Sequence, residues 1–184
     1  MRNLYFVVLA VLVLAGLSAT LFRYYLRARR SADASWEDIL NRLVPIDRDA
    51  IATIALDAVT ESGEPRPQED SFALDNAAIW KLLNGLKGLE TLEHNCEVLV
   101  DLAAYVQRTY PEALMVAEQL RLNAREITWH VSRLKGAART GNLQASFGDY
   151  AQRAVVTYYG MTRNLLALYD HAGFTRLAEL QQAI

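Results

Sequence analysis

The sequence predicts an all-α protein: an N-terminal single transmembrane helix, then an antiparallel α-helical bundle of three long and two or three short helices. Three observations predict it. Residues 4–22 form an apolar run of 19 residues without a charge. Beyond it, apolar residues recur at helical spacing over three long stretches. No alternating apolar–polar run of strand type interrupts them. The chain thus reads as two parts, an anchor with its basic flank over 1–30 and a bundle domain over 31–184.

The anchor comes first. As a helix, residues 4–22 are about 28 Å long, close to the hydrocarbon thickness of a bilayer. Tyr24 and Tyr25 follow at headgroup depth, among Arg23, Arg27, Arg29 and Arg30. On the other side stand only Arg2 and the terminal amine. This asymmetry assigns an uncleaved, single-pass anchor in the cell (inner) membrane, N-out, with the C-terminal domain cytoplasmic. The alternative is a cleaved signal and an exported C-terminal domain. Against it stand the length of the run, Leu17 at the −3 position for a cut after Ala19, and the four arginines. Ala15, Gly16 and Ala19 permit two anchors to pack closely, so a homo-oligomer stays open.

The bundle domain follows. Ser35 and Asp38 form a capping-box-like start for a helix running to about Leu43, before Pro45. A second helix spans roughly 47–60, with Ile51, Ile54, Ala55 and Ala58 on one face. Residues 61–71 (ESGEPRPQEDS) hold two prolines, a glycine and five charges, and read as an exposed loop. Over 75–107, Leu82, Leu89, Cys96 and Ala103 repeat every seven residues, as do Leu92, Leu99 and Val106. Gly85 and Gly88 leave open whether this is one helix or two. Thr109, Pro111 and Glu112 signal the next start. Its stripe is Ala113, Ala117, Leu120, Ala124, Ile127, Val131, Leu134 and Ala138. After the turn 139–144, Ser146 and Asp149 suit the cap of the last long helix. That stripe runs from Phe147 and Ala151 through Tyr158 and Met161 to Leu168 and Ala172. Gly173 is its stop, and a short tail helix starts near Thr175.

Charge narrows the function. Five of the 19 basic residues flank the apolar run, which leaves 14 against 21 acids beyond residue 30, a net of −7. Nucleic acid, bound by neutralising phosphates, is therefore not the expected partner. The single Cys96 excludes an internal disulfide and a multi-cysteine zinc site. The positions three before His94 and His130 are Thr91 and Ile127, so the Glu-x-x-His pair of di-iron bundles is absent. There is no phosphate-binding glycine loop, no HExxH and no G-x-S-x-G. No cofactor and no catalytic residue are expected.

Two groups of residues stand out. Glu90, His94, Glu97 and Asp101 share one helix face, a stripe for a cation or a partner surface, or simply a solvated acidic face. His130 falls on an inner face seven residues after Asn123 and four after Glu126. Such polar groups either line a small-ligand or proton-sensing pocket or form a satisfied network that fixes register. Tyr159 and Tyr169 widen the apolar arc of the last helix beyond one neighbour, enough for a partner or for the tail. Arg121, Arg125, Arg133, Lys135 and Arg139 lie on one helix and are expected to face the acidic stripe within the molecule, with anionic lipid or a partner as the alternatives. The expected partners are the lipid bilayer and another protein, itself in or at the membrane. The function expected is that of an adaptor or accessory subunit of a membrane complex, more a binding protein than an enzyme. The alternative is a ligand- or metal-binding helical sensor around His130, Asn123 and Glu126.

Overall fold

The computed structural model describes residues 11, 13–18, 34–59 and 74–184. The chain divides into two compact units, Met1–Ser35 and Trp36–Ile184. In the first, residues 11 and 13–18 are helical, and Val11, Val13, Leu14 and Leu17 are exposed. Among the described residues no helix is long and apolar enough to cross a membrane. The span expected over 4–22 lies mostly outside those residues. So do its flank (Arg23, Tyr24, Tyr25, Arg27, Arg29, Arg30) and the loop 61–71.

Among the described residues the second unit is all-helical. Its elements are α1 (Trp36–Leu40), α2 (Arg48–Ala58), α3 (Asn76–Leu83), α4 (Gly85–Val106), α5 (Ala113–Arg139), α6 (Leu143–His171) and α7 (Leu177–Ala183). Three are long and four are short, one short helix more than expected. The extra one comes from a break at Asn84 and Gly85, both with left-handed φ (56° and 68°), a conformation asparagine and glycine tolerate best. Gly88 then lets the chain double back: a Cβ there would stand 1.7 Å from the Leu83 carbonyl oxygen. The break also corrects the seven-residue seam. Leu89, Cys96 and Ala103 are buried, but Leu82, on the far side of the break, is exposed.

Local chemistry sets the other ends. Asp47 and Asp75 cap α2 and α3, their side chains accepting from the Ala50 and Ala78 amides at 3.0 and 2.7 Å. α1 stops at Leu40, three residues earlier than expected, in a tightened turn closed by Arg42 and Leu43 amides. α5 begins at Ala113, one residue past Glu112. α6 begins at Leu143, so Ser146 and Asp149 lie inside it rather than at its cap. The reason is the end of α5. Gly141 (φ +74°) lets the Asn142 amide reach the Ala137 carbonyl and its own amide reach Ala138, which closes the helix within three residues. Gly173 repeats this arrangement at the end of α6, and Phe174 stacks back on Tyr169 with ring centroids 5.3 Å apart.

Packing follows the stripes. α4, α5 and α6 pack on one another, α3 on α4 and α6, α2 on α6, α1 on α4, and α7 on α6. The short link 140–142 makes α5 and α6 antiparallel, and Trp129 meets Tyr150 across them. The core holds Leu89, Leu92 and Leu99 of α4, Leu120, Ile127, Val131 and Leu134 of α5, and Phe147, Tyr158, Met161 and Leu165 of α6. Of the expected stripes, Ala124 and Ala172 are only half-buried and Ala138 is exposed.

Candidate functional site

The stripe on α4 is taken up inside the molecule. Lys135 of α5 reaches Glu93 at 3.1 Å and Glu90 at 3.4 Å. Further along, Asp101 is buried and accepts from Arg42 at 2.9 Å, and a ring nitrogen of His94 lies 3.0 Å from the Arg42 carbonyl. Glu97 is exposed on the same helix. The stripe therefore meets α5 at one end and the link 41–47 at the other. Of the five basic residues expected to face it, Lys135 does so. Arg121 pairs with Glu118 on its own helix, Arg133 lies over the Trp129 ring at 5.1 Å, and Arg125 and Arg139 are exposed.

Asn95 is the residue that sequence reasoning missed. It is buried, its amide donates to the Val44 carbonyl at 2.8 Å, and its Oδ1 accepts from the Val44 amide at 3.0 Å. With His94 and Asp101 it clasps the non-helical link ahead of Pro45. The available signal was a lone asparagine beside the leucine seam, where a buried amide must find partners. Cys96, its neighbour, is buried, and burial with Glu93 and Glu97 nearby drives its thiol pKa far up. Such a thiol is inert packing. Among the described residues no group of three or more His, Cys, Asp or Glu side chains is placed to hold a metal.

His130 sits at the α5–α6 edge and is 3% exposed. Its Nε2 lies 3.6 Å from a Glu126 carboxylate oxygen. Its Nδ1 has no hydrogen-bond partner among the described residues. The ring is flanked by Trp129 at 5.0 Å and Tyr150 at 5.6 Å, themselves 5.7 Å apart. Burial lowers its pKa from the ordinary value, Glu126 opposes this, and the charge of Arg153 adds to it. The imidazole is thus neutral at pH 7. Asn123 does not join it. It accepts from Gln119 one turn earlier, at 3.0 Å. Two of the three expected residues come together, and Trp129, Tyr150 and Arg133 join them.

Of the widened tyrosine arc, Tyr169 is used internally, while Tyr159 is half-buried with the Arg163 guanidinium 5.8 Å from its ring centre. Tyr169 is fully buried, accepts from the Trp36 indole at 3.2 Å and donates to the Leu102 carbonyl at 3.2 Å. Tyr158 is buried beside Asn95, but its hydroxyl makes no hydrogen bond of normal geometry among the described residues.

A separate feature lies between α3 and α6. Trp80, 42% exposed, packs on Phe147 with centroids 4.7 Å apart. The two line an apolar recess of about 570 Å³ with Asn76, Ala77, Leu143 and Gln144. Two glycines shape it. A Cβ on Gly85 would come within 2.7 Å of the Trp80 ring, and one on Gly148 within 1.8 Å of Asn76 Oδ1. No family model, no curated protein and no solved structure matches the chain.

Proposed function

We propose that the protein is a single-pass, membrane-anchored helical bundle that docks another protein, as an adaptor or an accessory subunit of a membrane complex. The observation that carries this reading is the Trp80–Phe147 recess. Its half-exposed tryptophan lines a glycine-shaped hollow, the kind of anchor pocket on which binding energy concentrates. Its size suits one or two apolar side chains of a partner. The uncharged run over 4–22 and the arginines after it support the anchor and a cytoplasmic bundle.

The test is purification of the full-length protein in mild detergent with identification of what accompanies it. Wild type should retain a stoichiometric partner and a folded Trp80→Ala variant should lose it. Recovery of no stoichiometric partner by wild type refutes the adaptor. A reporter fused after Ile184 should be active in the cytoplasm, and a signal on the outer side overturns the orientation. A second reading, a sensor at His130, is favoured by the unpartnered Nδ1 of that buried ring. A stable His130→Leu variant that keeps the same partner would remove it.

A further inference from the structure

α5 buries one face and shows another. Opposite its core stripe stand Met115, Leu122 and Trp129, at intervals of seven and therefore in one line on the helix. They are 76%, 57% and 47% exposed. Arg125, Arg133 and Arg139 are exposed around that line. Two acids share the face: Glu118 pairs with Arg121, while Glu126 lies against the neutral His130 and keeps its charge, outnumbered by the three exposed arginines. The outer face thus combines a row of large apolar side chains, one of them an interfacial-type tryptophan, with a net positive charge.

We infer that the outer face of α5 rests on the anionic leaflet of the membrane that holds the anchor, with Trp129, Leu122 and Met115 in the headgroup layer and the arginines on lipid phosphates. This rests on the anchor reading above and adds a lipid-contacting face to the bundle. Tryptophan and arginine on an amphipathic face are what such a surface selects. A second copy of the chain is a poorer occupant. Antiparallel pairing about Leu122 sets Glu118 against Glu126, and parallel pairing sets each arginine against itself.

The test reconstitutes full-length protein into vesicles of phosphatidylcholine, with or without phosphatidylglycerol, containing brominated acyl chains. The Trp129 signal is the emission of wild type less that of Trp129→Phe. It should be quenched in the anionic vesicles and recover in about 1 M salt, where the screening length falls to about 3 Å. The double variant Arg125→Glu/Arg139→Glu should reduce the quenched fraction on the order of tenfold, since each basic residue near such a surface contributes severalfold. No quenching in either composition, or equal quenching in both, overturns the inference. Alkaline carbonate extraction separates the two readings. Protein that resists extraction but shows no Trp129 quenching sinks the lipid contact alone. Protein released by carbonate sinks the anchor.

Discussion

α4 and α5 are neighbours of similar length, yet α4 buries 12 of its 22 residues and α5 only seven of its 27. The two helices solve different problems. α4 lies among α1, α3, α5 and α6, so even its polar side chains must be answered from within: Asn95 by Val44, Asp101 by Arg42. α5 packs on α4 and α6 and leaves an apolar row outside. A helix that is enclosed shows its role in what it holds together. A helix with a spare face shows it in what it leaves uncovered.

That contrast can be broken experimentally, and the largest effect lies on α4. Leu99→Ala should cost about 2–5 kcal/mol, because the fully buried side chain leaves a cavity. Leu122→Ala on α5 should stay within about 0.5 kcal/mol. Denaturant titration of both variants measures the difference, and equal losses would dissolve the distinction. Next comes Asn95→Ala, which strips the Val44 amide and carbonyl of their partner and should cost about 1–3 kcal/mol. Faster proteolysis within the 41–47 link is the local readout. Smaller, and of opposite sign, is Gly136→Ala on α5. A Cβ there meets nothing within 4 Å, so the variant should gain about 0.5–1 kcal/mol, whereas Gly88→Ala on α4 should destabilise.

The smallest effect concerns pH. The His130 pKa is lower in the folded state than in the unfolded chain, so the unfolded state binds more protons as pH falls below the ordinary histidine value. Stability should therefore be fully present near pH 7 and decline from about 6.5 toward the depressed folded value. His130→Leu should lack that decline. At pH 7 it should be neutral or slightly more stable, because it removes a buried nitrogen without a partner. Parallel denaturation curves for the two proteins between pH 7 and 5 measure it. Identical pH slopes would show that the imidazole is not held neutral.

The same contrast explains what the sequence made legible. Periodicity located the buried stripes of α4, α5 and α6 well, because a stripe at helical spacing depends on one helix alone. The glycine at 173 was readable as a stop for the same local reason. The break at Asn84 was not, since Asn-Gly in a helical pattern signals a turn only when the neighbouring packing rewards it, here through Gly88 and the Leu83 carbonyl. At the site, His130 and Glu126 were found by their spacing of four on one helix. Asn95 and its bond to Val44 span 51 residues, a pairing no local pattern contains. Trp129 was passed over because an exposed aromatic breaks no rule of helix design. Its place against Tyr150 of α6 is set by tertiary packing that no local pattern contains.

Trp36 gives the molecule a mechanical property. Its indole holds the Tyr169 hydroxyl, which in turn holds the Leu102 carbonyl, and the Arg176 guanidinium lies 5.0 Å from the centre of its ring. Tension arriving along the chain at Ser35 therefore does not fall on a loose end. It is divided at the first residue of α1 between α6 and α4. Such a load meets hydrogen bonds to two long helices before it meets the first turn of α1 alone.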